Sequence, residues 1–227
     1  MKFPSILPAV FAAACISAGY MPSTSWATAF TETGDAGDLP SGAQLLTPGI
    51  SSTDTLTGSL TLSTGGVSES DMYQFTVAGN VSLTASTYSA AFTPGFNNFD
   101  SQIAIFSNAG VGLAVNDDAT GGGSQSSVTL TLGPGSYYLL ISGSGRFAVD
   151  GTGALIFPNF TDGTTDATGT YAATSASPIT GYTGSSNEGG NYRIALTTVP
   201  VVPEPHTFAW MAAGMVGLAV VLRRRAA

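Results

Sequence analysis

Short runs in which apolar and polar residues alternate fill the middle of this chain, and they restrict its fold more than any other feature. Thr55 to Leu62 alternates throughout, and in the run from Met72 to Val77 the residues Tyr73, Phe75 and Val77 share one face. A period of two places successive side chains on opposite faces of a strand, whereas a helix needs a period of about 3.6. Since no segment between the two chain ends shows the helical period, we predict an all-β body.

Further runs have the same pattern and are separated by turn-forming residues. Their apolar faces are formed by Ile103 and Ile105, by Val128, Leu130 and Leu132, by Tyr137, Leu139 and Ile141, and by Tyr192, Ile194 and Leu196. Asn108-Ala109-Gly110 predicts one turn, and Gly133-Pro134-Gly135 predicts a β-hairpin over Ser127 to Ser142. Short strands divided by glycine and proline are typical of two packed sheets, so we predict a two-sheet β-sandwich.

The charge and residue types of the body exclude several functions. Phe30 to Val202 contains thirteen acidic residues and two arginines, a net charge of −11. Such a body repels nucleic-acid phosphates and suits divalent cations or a hydrated polymer. The single cysteine, Cys15, and the single histidine, His206, lie outside the body, which removes thiol and serine–histidine chemistry. We expect no nucleic-acid partner and no enzyme activity; the alternative is a glycosidase that uses two carboxylates.

Residues 1–29 are organised as a secretory signal peptide. Lys2 supplies the positive charge, Ile6 to Ala18 the apolar stretch, and Ala27 and Ala29 the two small residues of a cleavage site. We therefore predict that the mature chain begins at Phe30 and that a single domain covers residues 30–199. An alternative is a lipoprotein signal in which the single cysteine carries the lipid.

The chain ends on an apolar segment that is followed by positive charge. Thr207 to Leu222 is an uncharged run of sixteen residues, which as a helix would span about 24 Å, against about 30 Å for a hydrocarbon core. Arg223, Arg224 and Arg225 would keep the C-terminus in the cytoplasm. We predict a transmembrane helix at 207–222, either a permanent anchor or one that is held only until it is processed.

Pro203, Glu204 and Pro205 precede this helix, and the order of motif, short helix and arginine cluster resembles the PEP-CTERM sorting signal. The resemblance covers residues 200–227. It implies processing by an exosortase, a membrane-embedded enzyme similar to a cysteine transpeptidase, after transient residence in the inner membrane of a Gram-negative bacterium. It also implies delivery to the cell surface or to the matrix of an exopolysaccharide-producing, biofilm-forming cell. On this interpretation the protein is an exported, non-enzymatic envelope or extracellular-matrix protein.

The body has a family resemblance of its own. SDMYQFTVAG, FDSQIAIFSNAGVGLAVNDD, VTLTLGPGSYYLLISG and GNYRIALTT follow one another in an order similar to that of bacterial pre-peptidase C-terminal domains. The entry segment TETGDAGDLPSGAQ is also similar, although Gly34-Asp35 replaces the commoner Asn-Asp pair. The resemblance implies a jelly-roll-like sandwich over about Glu32 to Thr198. It also raises the expectation of calcium, which some members bind through acidic loop residues.

A Gly/Thr/Ser-rich insertion at about residues 150–190 departs from that family. It contains one apolar run, Ala154 to Phe157. This is too little apolar surface for a separate core, so we predict either a mobile loop or a hairpin added to the sandwich.

Acidic residues at strand ends form the best candidate site. Asn116, Asp117 and Asp118 follow one predicted strand, and Asp71 and Asp100 precede two others that we expect to be neighbours. If these ends meet at one edge, their oxygens can supply the ligands that calcium takes. These residues therefore have two interpretations. The one that we favour is a solvent-facing turn in which Asn and Asp bind backbone groups. The other is a calcium site, and a calcium-dependent polysaccharide- or protein-binding module is the second function hypothesis.

Aromatic residues form a second candidate site. Tyr88, Phe92, Phe96 and Phe99 crowd a Pro-Gly loop. Aromatic faces on a rigid sandwich can stack on sugar rings of an exopolysaccharide, but burial at the open end of the core is the interpretation that we favour.

Processing at the C-terminal motif predicts a shortened mature chain. The exported protein should lack Trp210 and the three terminal arginines, which intact-mass spectrometry of protein recovered from the cell surface measures. Replacement of the motif residue Glu204→Gln should retain the segment. A wild-type surface form that still contains Trp210 contradicts the prediction.

Overall fold

The computed structural model of the protein describes residues 27–62, 69–87, 95–121, 123–160 and 169–201. Within these ranges the chain is all-β, as predicted, with one 3-10 turn at Pro40–Gly42. No helix among the described residues is long and apolar enough to cross a membrane. The predicted sorting motif, the predicted helix at 207–222 and most of the predicted signal peptide lie outside the described ranges.

Thirteen strands are present in the described part. They are β1 (Ala29–Thr31), β2 (Gln44–Leu45), β3 (Thr53–Leu60), β4 (Ser70–Val77), β5 (Val81–Ser86), β6 (Ser101–Ser107), β7 (Gly112–Asn116), β8 (Ser127–Leu132), β9 (Gly135–Gly143), β10 (Phe147–Asp150), β11 (Tyr171–Ala172), β12 (Ile179–Thr183) and β13 (Gly190–Pro200).

Two main sheets pack face to face around the main core. The five-stranded sheet has the order β1-β3-β13-β5-β8, and the six-stranded sheet has the order β11-β7-β6-β9-β4-β2. Alternate residues of facing strands supply the core, among them Leu56, Tyr73, Phe75, Leu83, Ile103, Ile105, Leu139, Ile141, Tyr192, Ile194 and Leu196. The period of two therefore identified the buried faces correctly, and the two-sheet architecture is confirmed.

The predicted hairpin over Ser127 to Ser142 is wrong. β8 pairs with β5 in the five-stranded sheet, whereas β9 lies between β4 and β6 in the six-stranded sheet. Gly133 and Pro134 thus carry the chain from one sheet to the other. Alternation of apolar and polar residues shows which face of a strand is buried. It does not show whether two consecutive strands are hydrogen-bonded neighbours in one sheet or face each other across the core, because both arrangements give the same pattern.

The turn predicted at Asn108-Ala109-Gly110 does close a hairpin. β6 and β7 pair antiparallel, and the N–H of Gly110 donates to the Ser107 carbonyl at 2.9 Å. Gly110 has φ 77°, a left-handed conformation that glycine adopts without a side-chain clash.

The described part of the insertion is an ordered layer over the outer face of the six-stranded sheet. β10 and β12 form a two-stranded antiparallel sheet. A second core lies between this layer and the six-stranded sheet. The sheet contributes Met72, Ala104, Phe106, Val115, Tyr138 and Leu140, and the layer contributes Ala148, Ile156, Phe157, Phe160 and Ile179. Phe106 and Phe157 meet edge to face at 5.4 Å. The insertion needs little apolar surface of its own because the sheet supplies half of this core.

Asp150 links two segments of this layer, residues 152–154 and Ser175, by hydrogen bonds. Its carboxylate accepts hydrogen bonds from the hydroxyl (2.6 Å) and the N–H (2.9 Å) of Thr152, from the Ser175 hydroxyl (2.9 Å) and from the Ala154 N–H (3.2 Å). These bonds, led by those from Thr152, lower the pKa of Asp150 to about 2.

The lowered pKa makes this contribution to stability depend on pH. Because the folded pKa lies below the unfolded value, the contribution is present above about pH 4 and is lost as pH falls through about 2. Asp150→Asn should therefore lower the melting temperature at pH 6, and its difference from the wild type should shrink as pH falls towards 2. Ser175→Ala should show the same trend with a smaller amplitude. A difference that is constant from pH 6 to pH 2 contradicts this assignment.

Candidate metal centre

Glu32, Asp35 and Asp71 bring three carboxylates to one place at the edge of the sandwich. One oxygen from each residue lies within 4.8 Å of the other two. Glu32 directly follows β1 of the five-stranded sheet, and Asp71 lies in β4 of the six-stranded sheet. The three residues therefore span both sheets and the segment that enters the domain.

Asp71 is buried because of its position in β4. It has the same strand parity as Tyr73, Phe75 and Val77, so its side chain faces the main core and is 0% exposed. Tyr192 of β13 donates its hydroxyl proton to Oδ2 of Asp71 at 2.6 Å, and the hydroxyls of Tyr192 and Tyr73 are hydrogen-bonded to each other. Oδ1 of Asp71 has no hydrogen-bond partner.

Backbone groups hold the Glu32 carboxylate in position. Oε2 accepts the Ser59 N–H at 2.8 Å, and Oε1 accepts the Ala36 N–H at 3.0 Å. A Cβ at Gly58 would lie 2.2 Å from the Tyr192 hydroxyl oxygen and 2.6 Å from Oε2 of Glu32. Glycine at this position therefore leaves the space in which the tyrosine and the glutamate meet.

Arg146 anchors the far end of the entry segment. It forms an ion pair with Asp38 (3.3 Å), donates to the Ser70 hydroxyl (2.7 Å) and lies over the Tyr182 ring, 4.4 Å from its centroid. Asp38 also accepts the Ser70 N–H at 2.7 Å. These contacts fix residues 32–38 against the start of β4 and so hold Asp35 near Asp71.

The burial of Asp71 and the negative charges around it disfavour the ionised form of its carboxyl group. Burial raises the pKa of Asp71 to about 8, the hydrogen bond from Tyr192 opposes that rise, and the negative charges of Glu32, Asp35 and Asp38 add to it. Partial desolvation and then the charges of Glu69 and Asp38 also raise the pKa of Asp35, although its side chain is largely exposed. A divalent cation at this position would remove the mutual repulsion and restore the charged form.

The donor set fits calcium. An ion 2.3–2.6 Å from each oxygen is compatible with oxygens that lie within 4.8 Å of one another. All three ligands are carboxylates, which hard cations prefer, and zinc would favour the nitrogen and sulfur donors that this group lacks. Asp35 is exposed, so water can complete the six to eight ligands that calcium takes.

The strand-end residues predicted to bind calcium separate into two groups. Asp100, Asp117, Asp118 and Glu188 lie close enough for their charges to interact, and the Asp100 N–H donates to Oε2 of Glu188 at 3.1 Å. Among the described residues, however, only Glu32, Asp35 and Asp71 bring three such ligand oxygens within 4.8 Å of one another. Burial and then the charges of Asp117, Asp118 and Glu188 raise the pKa of Asp100 to about 7, while burial raises that of Asp117 to about 6. Calcium binding there stays a prediction.

Asp71 does not belong to that group, and the expectation that it would converge with Asp100 is wrong. β4 and β6 are not neighbours, because β9 lies between them. Asn116 has a structural part: its Oδ1 accepts the Ser127 N–H at 2.6 Å, and its Nδ2 donates to the carbonyls of Asp118 and Gly169. It thereby links the two sheets at the end of β7.

Glu32 and Asp35 were missed from the sequence because some forty positions separate them from Asp71. One signal was available. The alternation that assigns Tyr73, Phe75 and Val77 to the core places Asp71 on the same face, and a carboxylate in a core needs a partner.

The four aromatic residues of the second candidate site do not share one location among the described residues. Phe99 is buried in the main core, which confirms the interpretation as core closure at that residue. Phe96 lines a shallow surface pocket together with Glu32, Gly58 and Asn191. Tyr88 and Phe92 lie outside the described residues.

No protein-family model matches the chain, and no curated protein matches it. Among solved structures, the chain is similar to the pre-peptidase C-terminal domain of a collagenase from Bacillus anthracis, with a TM-score of 0.34 and 16% sequence identity over 69% of this chain and 94% of that chain.

The hydroxyl of Tyr192 should contribute strongly to stability. Tyr192→Phe takes from Oδ2 of the buried Asp71 its donor, so that neither oxygen then has a partner, which should lower the free energy of unfolding by about 1–3 kcal/mol. Tyr137→Phe is the matched control, since the Tyr137 hydroxyl donates only to the Gly133 carbonyl in a half-buried position. Urea denaturation in the presence of a chelator measures both. Equal losses in the two variants contradict this role of Tyr192.

Proposed function

We propose that this chain is an exported, non-enzymatic β-sandwich protein that binds a divalent cation, calcium by its ligand chemistry, through Glu32, Asp35 and Asp71. One observation carries the proposal. Oδ1 of Asp71 is buried and has no hydrogen-bond partner, and it belongs to a residue grouped with two other carboxylates.

Oδ1 of Asp71 is a buried acceptor without a donor. Oδ2 of the same carboxylate accepts the Tyr192 hydroxyl, and the oxygens grouped with Asp71 belong to two further carboxylates. A buried unsatisfied polar group costs about 1–3 kcal/mol. A cation satisfies Oδ1 and offsets the repulsion among the three carboxylates.

A cation at this position would join three parts of the fold. Glu32 lies at the end of β1, Asp35 lies in the entry segment, and Asp71 lies at the start of β4. Its binding would close one edge of the sandwich and stiffen the N-terminal part of the domain. Extracellular modules bind calcium with dissociation constants of about 10⁻⁴–10⁻³ M, which suits a protein that acts outside the cell.

A non-enzymatic role is supported by the burial of Asp71 and Asp117, the most buried carboxylate in each acidic group. Glycosidic hydrolysis needs a carboxyl group that reaches the scissile bond, whereas Asp71 is 0% and Asp117 is 5% exposed. Neither can approach a sugar in this arrangement.

The route to the envelope rests on the two ends of the sequence. The signal peptide would export the chain, and the Pro203-Glu204-Pro205 motif with its helix and arginine cluster would deliver it through an exosortase. The acidic body, with the cation that we propose, suits residence in a hydrated exopolysaccharide matrix.

Calcium should stabilise the mature protein through Asp71. At a calcium concentration about 100 times the dissociation constant, binding adds about 2.7 kcal/mol, and the melting temperature should rise by roughly 5–10 °C. Asp71→Asn should abolish the rise.

Asp117→Asn is the matched control, since it removes a buried carboxylate from the other acidic group. It should keep the full calcium response in the same thermal-shift titration. A response that disappears in Asp117→Asn and persists in Asp71→Asn would move the calcium site to the strand-end group and contradict the proposal.

A further inference from the structure

Asp54 is a buried carboxylate that the metal centre does not use. It lies in β3 and is 1% exposed. Its Oδ2 accepts the Ser51 N–H at 2.5 Å, and its Oδ1 accepts the Ser51 hydroxyl at 2.8 Å and the N–H of Thr28 at 2.6 Å. The backbone N–H of Thr28, at the edge of the five-stranded sheet, is therefore hydrogen-bonded to a buried carboxylate.

These donors are neutral, yet the group that they surround carries a charge. A buried ion costs several kcal/mol unless an opposite charge or strong hydrogen bonds offset it, and hydrogen bonds between charged partners are about twice as strong as neutral ones. If the chain began at Thr28, its backbone nitrogen would be an α-ammonium group. The same atom, in the same position, would then form an ion pair with Asp54.

Thr28 and Ala29 are integral to the sheet. The Thr28 carbonyl accepts the Thr55 N–H at 2.9 Å, and Ala29 pairs with Thr55 in the parallel β1–β3 ladder. Cleavage after Ala29 would remove both contacts along with the Thr28 bond to Asp54. It would also place the new ammonium group on Phe30, whose side chain is buried in the main core.

We propose that the signal peptide is cleaved between Ala27 and Thr28, two residues before the site predicted from the sequence, and that the resulting α-ammonium group pairs with Asp54. Ser25 and Ala27 are small residues at the third and first positions before this bond, as signal cleavage requires. The inference rests on the export of the chain in the proposed function.

N-terminal sequencing of protein exported by cells that express the full precursor tests the cleavage position. Thr28 as the first residue is the expected result. Phe30, or any other start after residue 1, overturns the inference and leaves export standing. A chain that still begins at Met1 overturns the inference and the proposed export together.

The pairing has a separate test, because Lys2 is the only lysine of the chain. In the mature protein the α-amine is therefore the only primary amine, and acetylation of the unfolded chain marks that group alone. After refolding, acetylation should lower the melting temperature of the wild type by at least about 2 °C. It should have no such effect in Asp54→Asn, whereas the control Asp118→Asn should respond as the wild type does.

An equal effect of acetylation in the wild type and in Asp54→Asn, or none in either, overturns the ion pair. If Asp54→Asn does not fold, acetylated and unmodified wild-type protein still decide the matter, since unchanged stability on acetylation excludes a stabilising ammonium group.

Discussion

The hydrogen-bonded chain from Asp71 through Tyr192 to Tyr73 is the interaction on which the rest of the arrangement depends. Tyr192 belongs to the five-stranded sheet, and the other two residues belong to the six-stranded sheet. All three are buried, so the chain fixes the register between two sheets that otherwise meet through non-directional apolar contacts. It also points a carboxylate towards Glu32 and Asp35. The same buried polar chain therefore orients the sandwich and holds a buried, partly unpartnered carboxylate beside two others.

The six-stranded sheet is buried on both faces, which explains why the insertion is part of the fold. Residues 103–106 of β6 are all buried, with Ile103 and Ile105 in the main core and Ala104 and Phe106 in the second. A sheet with two apolar faces needs a layer on each side. Gly112 permits the close approach of that layer, because a Cβ there would lie 2.5 Å from Ile156 and 2.8 Å from Phe157.

Charge organises the N-terminal segment at three points. The Thr28 N–H donates to the Asp54 carboxylate, and the Ser59 N–H donates to the Glu32 carboxylate. Asp38 forms an ion pair with Arg146. In a body with only two arginines, few side chains can balance buried carboxylates, and the counter-charges that we propose are an α-ammonium group and a divalent cation. Both would act on the same short segment. On these proposals, cleavage of the precursor would supply one positive charge to this segment and the bound cation would supply the other.

The sequence by itself determined the all-β class, the buried face of most strands and the absence of thiol and imidazole chemistry from the body, because these follow from local alternation and residue type. Only the tertiary structure decided which strands pair, as the separation of β8 and β9 into different sheets shows. It alone also decided that Asp71 meets Glu32 and Asp35 rather than Asp100. The physical reason is that a period of two specifies a face and carries no information about the neighbour across a sheet or across a core. Sites assembled from distant strand ends are fixed only when the whole sandwich has closed.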